Sequence, residues 1–260
     1  MSRVPDRRQL REAAPVVTPA LARRLLAELI GTGLLVTIVV GSGIAAQTLS
    51  PNQIGLQLLE NSIATVFGLA VLILLFGPVS GAHFNPVVSI ADWLLGRRAG
   101  TGLAGRDVAA YITAQLIGGI AGAVLANAMF DLAPLHTATT TRAGAGLWLG
   151  EVVATAGLIA VIFALARTGR AGLSAVTVAG WIGAAYWFTS STSFANPAVT
   201  VGRMFSDTFA GIAPGSAPGF VIAQLIGALL GASLVAALYP DVSHATDDAV
   251  APQVKSPLTA

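Results

Sequence analysis

The chain has 260 residues, 55% of them hydrophobic and only 10% charged, with a mean hydropathy of +0.77. That balance excludes an ordinary soluble domain and matches several spans of roughly 20 apolar residues each. The net charge of +2 and the pI near 9.5 do not imply a nucleic-acid partner, because the arginines are distributed among the connections between apolar spans.

In chain order, residues 1–20 read as a polar, disordered cytoplasmic tail without a cleavable-signal pattern. Spans follow at Leu21–Gln47 and Leu56–Gly77, and then a short apolar piece, Gly81–Leu95, which contains Asn85-Pro86-Val87. Two more spans, Asp107–Phe130 and Gly146–Arg167, precede a fifth at Leu173–Thr189. A second short piece, Ser193–Phe205, contains Asn196-Pro197-Ala198 and leads to the sixth span at Ala217–Tyr239. Residues 240–260 form a second cytoplasmic tail. The predicted fold is all-α and integral to the membrane, with six transmembrane helices and two reentrant half-helices. The channel domain covers 21–239, as repeats 21–130 and 146–239.

Asn followed by Pro starts a helix, because Asn accepts the first free N–H groups and Pro fits the first turn. Both short pieces are too short to cross a bilayer, so each enters and returns. The two halves repeat. Ala27-Glu28-Leu29-Ile30-Gly31-Thr32 is echoed by Gly150-Glu151-Val152-Val153-Ala154-Thr155, and Ala114-Gln115-Leu116-Ile117-Gly118 by Ala223-Gln224-Leu225-Ile226-Gly227. Three spans per half is an odd number, so the second half is inserted upside down. The first half-helix dips from the cytoplasm and the second from outside, bringing their Asn-Pro tips together near the midplane.

The charges set the orientation. Arg3, Arg7, Arg8, Arg11, Arg23 and Arg24 precede the first span, while Arg97, Arg98, Arg106, Arg167 and Arg170 fall in connections on the same side. The positive-inside rule places that side, and both termini, in the cytoplasm. Only Arg142 and Arg203 fall outside.

Gly118 with Gly122, and Gly227 with Gly231, are spaced for close helix contact in lipid. Glu28 and Glu151, at matching places in the repeat, read as supports for the reentrant backbone, with Gln115 and Gln224 satisfying nearby polar backbone in the same way. The other reading of the two glutamates is a proton relay in a coupled secondary transporter. His83 reads as a structural hydrogen-bonding group in the first loop, or as a pH gate beside the pore. His136 and His244 show no metal spacing, no Ser/His/Asp arrangement or carboxylate cluster implies an enzyme, and no cofactor is called for. Cysteine is absent.

Ser80-Gly81-Ala82-His83-Phe84-Asn85-Pro86 and Phe194-Ala195-Asn196-Pro197-Ala198 resemble the two signature loops of the aquaporin and glycerol-facilitator family, also called major intrinsic proteins. The resemblance covers roughly residues 21–239. It implies a passive channel for small neutral solutes and water in the lipid bilayer, assembled as a homotetramer, here in a bacterial inner membrane. In that reading Asn85, Pro86, Val87, Asn196, Pro197 and Ala198 form the centre of the pore. Two half-helix N-termini each carry about +0.5 charge. A monovalent cation at ~5 Å, in an effective dielectric of ~20, meets about 3 kcal/mol of repulsion, on the order of a hundredfold suppression.

The chain departs from the family where Arg usually follows the second motif, since Val199 stands there. Carried over by offset, the other constriction positions are Phe67, Ala184 and Ser193. The segment from Phe67 to Asn85 looks two residues short, which makes Thr65 the alternative. Small residues at this ring imply a wide filter and a cargo larger than water: glycerol-like polyols, urea-sized amides, or undissociated metalloid hydroxides. Val87 stands where Ala is usual and adds bulk at the tip. Arg203, one turn beyond Val199, either forms a displaced positive group at the outer mouth or pairs with Asp207. The stretch 196–218 also resembles a bacterial branch associated with arsenic resistance, which implies arsenite-like or methylated arsenic solutes.

Overall fold

The computed structural model describes residues 19–97 and 100–240, so the tails expected at either end lie almost wholly outside the described residues. Its helices are α1 (Leu21–Leu49), α2 (Ile54–Ser80), α3 (Pro86–Gly96), α4 (Gly105–Met129), α5 (Ala145–Arg167), α6 (Ser174–Phe188), α7 (Pro197–Gly202) and α8 (Ala217–Leu238). No strand occurs among the described residues. Six helices are long and apolar enough to cross a membrane, α6 by including the preceding 3₁₀ turn Ala171–Leu173. Their ends lie within three residues of those predicted from hydropathy.

The half-helices start at Pro86 and Pro197, capped by the asparagines of the two Asn-Pro pairs, so the short apolar pieces are helical only from there and not from Gly81 and Ser193. The residues before each asparagine are not helical. Ala82 and Phe84 have φ of 51° and 50°, and their repeat mates Ser193 and Ala195 have 51° and 48°. Left-handed backbone at a non-glycine residue costs on the order of 1–3 kcal/mol. Alternating it with ordinary backbone turns successive N–H groups toward one point, where an anion can collect them.

The two repeats pack alike. α1 lies chiefly on α4, and its mate α5 on α8, while α7 reaches across to α4 and α3 to α8. At the α1–α4 crossing a Cβ on Gly118 or Gly122 would overlap the carbonyls of Leu29 or Gly33. Thr37 Oγ1 bridges the same crossing to Gly122 O at 3.1 Å. On α8, Gly227 and Gly231 meet Val152 O and Ala156 O of α5 in the same way. Without a hydrophobic drive between helices in lipid, these close backbone approaches supply the contact. The pattern of a soluble domain is inverted: Leu26, Ile30 and Leu34 of α1 and Ile63, Phe67, Val71 and Leu74 of α2 are exposed. Glu28, Glu151, Gln115 and Gln224 are fully buried in their place. The connection between α4 and α5 closes over one end of the bundle, where Ala138 N donates to Met204 O at 2.9 Å and Ala213 N to Thr140 O at 2.8 Å.

Candidate functional site

The two half-helices meet at their asparagines. Asn85 Oδ1 accepts from Val87 N at 3.1 Å, and Asn196 Oδ1 accepts from Ala198 N at 2.9 Å and Val199 N at 3.3 Å. Each amide therefore caps its own helix. Each also donates across the tip: Asn85 Nδ2 to Ala195 O and Asn196 Nδ2 to Phe84 O, both at 2.8 Å. One N–H of each amide is consumed by this reciprocal brace, leaving the second for the lumen. Val87 is fully buried and packs in the apolar core around the tips.

Behind each tip stands a buried glutamate. Glu28 accepts from Ser80 Oγ at 2.6 Å, His83 N at 3.0 Å, Phe84 N at 2.7 Å and Gln115 Nε2 at 2.8 Å. Glu151 accepts from Phe194 N at 2.9 Å, Ala195 N at 2.8 Å and Gln224 Nε2 at 2.6 Å. The glutamines continue the match, reaching Ser89 Oγ at 3.0 Å in one half and Thr200 Oγ1 at 2.9 Å in the other. These carboxylates collect the N–H groups that the left-handed residues present. Neither lines the cavity between the tips, so neither stands in the path of a transported proton.

A cavity lined by residues of both half-helices and of the spans around them runs past the two tips. Leu35, Leu69, Ile73, Leu158, Val178 and Ile182 make its walls apolar, and Asn85, Asn196, His83, Thr65 and Ser193 give it a polar edge. His83 Nδ1 lies 3.0 Å from Ser89 Oγ, so the imidazole is tied within its own loop while one face meets the lumen.

The constriction positions carried over by offset need two corrections. Phe67 is 69% exposed on the lipid side of α2, and Thr65 faces the cavity instead. A two-residue slip turns a helix by about 200°, which exchanges its faces. Ala184 likewise points outward, into a groove with Trp181 and Val161, while Tyr186 lines the cavity. Thr65 Oγ1 and Tyr186 Oη are 3.1 Å apart, closing one side of the ring. Ser193 and Val199 line the same cavity.

Arg203 is 2% exposed and lines the same cavity. Its guanidinium carbon stacks 3.4 Å above the centre of the Phe194 ring, and its Nε donates to Ala210 O. It makes no ion pair with Asp207, whose carboxylate instead receives Thr139 N at 2.8 Å and Thr139 Oγ1 at 3.0 Å. Tyr186 and Arg142 were missed by sequence reasoning. Tyr186 is two positions from Ala184, and the loop length between α6 and α7 hid that phase. Arg142 lies in the connection before α5, and no local pattern marks that its guanidinium comes within 5.3 Å of the Phe194 centroid.

A family model described as Major intrinsic protein matches residues 16–190 and again 173–258. The aquaglyceroporin AqpS of Rhizobium meliloti (strain 1021) is 52% identical over 194 residues, covering 75% of this chain and 80% of that protein. The glycerol uptake facilitator protein of Pseudomonas aeruginosa is 36% identical over 181 residues, covering 61% of each. Aquaporin AqpM of Methanothermobacter thermautotrophicus is 35% identical over 226 residues, covering 74% of this chain and 87% of that one. The solved structure of an aquaglyceroporin from Plasmodium falciparum matches the fold with a TM-score of 0.61 at 18% identity, covering 84% of this chain and 97% of that chain.

Proposed function

The chain belongs to the major intrinsic protein family of membrane channels, and from that premise we propose that its pore is a wide, amphipathic filter suited to glycerol-sized solutes. It is an integral membrane channel, not an enzyme, and it passes water and glycerol-like solutes passively. A coupled transporter on the same architecture is not favoured, since Glu28 and Glu151 are both spent on loop amides.

The observation that carries the wide filter is the place of Val199 on the lumen, with the guanidinium of Arg203 drawn onto Phe194. A valine occupies less of the cross-section than a guanidinium and donates nothing. The remaining wall has two chemistries. Thr65, Tyr186 and Ser193 offer hydroxyls, while Val199 and Phe194 offer apolar surface. A polyol is amphipathic in the same sense, with hydroxyls along one edge and C–H groups along the other. Urea-sized amides and undissociated or methylated arsenic hydroxides fit the same description. Asn85 and Asn196 supply the central donors, and the paired half-helix ends oppose cations by about 3 kcal/mol.

Residues 21–239 act as one channel unit made of two repeats. Arg23, Arg24, Arg106, Arg167 and Arg170 lie at one end of the spans, which supports cytoplasmic termini in a bacterial inner membrane. Assembly as a homotetramer is supported by the family resemblance. Stopped-flow light scattering of proteoliposomes with water, glycerol, urea and arsenous acid tests the reading. Glycerol and urea permeability well above that of empty vesicles is expected, and a pore that passes water alone contradicts it.

A further inference from the structure

We propose that the outer mouth holds an oxyanion-binding site in which Arg203 and Ser193 seat a small carboxylate such as formate. The proposal rests on the reading of this cavity as the solute pore. Two guanidiniums share the Phe194 ring, Arg203 at 3.4 Å and Arg142 at 5.3 Å from its centroid. Among the described residues, no carboxylate lies within ion-pair distance of either one. Glu151, the acid of this half, is turned to Phe194 N, Ala195 N and Gln224. Two cations that share one ring with no acidic partner form a net positive spot at the end of the lumen.

The donors are left in a usable arrangement. Arg203 spends Nε on Ala210 O, and its two terminal nitrogens have no protein acceptor among the described residues. That is the end of the guanidinium that grips a planar carboxylate with two parallel hydrogen bonds. Arg142 does not line the cavity. Its Nε and Nη2 donate to Gly211 O at 2.8 Å and Phe209 O at 3.1 Å, so it backs the ring and adds charge. Ser193 Oγ is buried, lines the cavity and has no partner, which makes it a third donor for the same ligand. Val199 lines the same cavity and supplies apolar surface for the C–H edge of a formate. The half-helix ends deeper in the pore attract an anion with the same field that repels a cation.

Binding at this place puts the carboxylate in the path of glycerol. Glycerol efflux from proteoliposomes is measured in sodium formate and in sodium gluconate, whose anion is too large for the mouth. Formate is expected to slow wild-type efflux at least about threefold relative to gluconate, and Arg203→Gln to weaken that effect roughly tenfold, the worth of a charge-assisted hydrogen bond. Arg203→Lys keeps part of the effect, and Ser193→Ala weakens it severalfold if Arg203→Gln does not fold. Equal efflux in the two salts for the wild type, or undiminished formate sensitivity in Arg203→Gln, overturns the site. Broadening of the formate NMR resonance by the detergent-solubilised protein reads the same site without transport. Broadening without glycerol flux would overturn the polyol reading and leave the site standing, and flux without broadening would do the reverse.

Discussion

Asp92 and Arg203 occupy the same place in the two repeats, each seven residues beyond the asparagine that opens its half-helix, and they carry opposite charge. Their surroundings match. Asp92 Oδ2 lies 3.8 Å from His83 Nε2, and Arg203 stacks on Phe194, the repeat mate of His83. Behind each ring stands another aromatic, Tyr111 at 5.4 Å from His83 and Phe220 at 5.0 Å from Phe194. One scaffold thus buries an acid beside the ring of one half and a base beside the ring of the other.

Asp92 also holds the connection between α3 and α4, accepting Leu103 N at 2.6 Å. Asp92→Leu strands that buried amide and is expected to cost about 1–3 kcal/mol. Asp92→Asn keeps an acceptor and costs less. Thermal unfolding in detergent ranks the two, and equal midpoints would show that the contact contributes nothing.

Thr65 and Phe67 make opposite predictions from opposite faces of one turn of α2. Thr65→Phe narrows the ring beside Tyr186 and should reduce glycerol permeability by at least about tenfold, a barrier rise of about 1.4 kcal/mol. Phe67→Ala removes a lipid-facing ring and should leave the glycerol-to-water ratio unchanged. A selectivity change in Phe67→Ala with none in Thr65→Phe would reverse the assignment.

Glu28 and Glu151 gather the amides that the left-handed backbone presents. Replacing either with Ala leaves two buried backbone N–H groups and one N–H of a glutamine amide unpaired, at roughly 3 kcal/mol or more for the set. The expected result is loss of folded protein on size exclusion rather than a folded, non-conducting channel. A stable Glu151→Ala protein with a normal pore would remove the supporting role.

The connection between α4 and α5 is tied down by Asp207, whose pKa is lowered from 3.8, chiefly by the Thr139 N–H and then by the Thr139 hydroxyl. A depressed folded pKa means that the stabilisation is complete above the unfolded value and is lost as pH falls through the folded one. Exchange protection of the Thr139 amide should therefore hold from neutral pH down to about 3.8 and decline below it. Asp207→Ala should remove the protection throughout, and a flat profile in the wild type would contradict the tether.

Much of this was legible in the residues. Six apolar runs, two Asn-Pro starts and the echoed Glu and Gln positions carry the architecture, because lipid obliges a helix to satisfy its own backbone and leaves hydropathy as the main signal. The left-handed backbone before each start was less legible, since nothing local announces positive φ at Ala82, Phe84, Ser193 or Ala195. Helix phase across an irregular loop was legible only in part: the short segment between Phe67 and Asn85 offered Thr65 as the alternative, while nothing pointed from Ala184 to Tyr186. In α2 a usable signal existed: Ile63, Phe67, Val71 and Leu74 recur at helical spacing and mark one lipid-facing stripe. The pairing of Arg142 with Phe194 joins segments 52 residues apart and has no local signature.

The most direct measurement is the ratio of glycerol to water permeability in proteoliposomes of the wild type and of Val199→Arg. If the missing guanidinium sets the bore, the substitution lowers glycerol permeability at least about tenfold while water still passes. A correctly folded Val199→Arg channel that carries glycerol as fast as the wild type would show that the bore is set elsewhere.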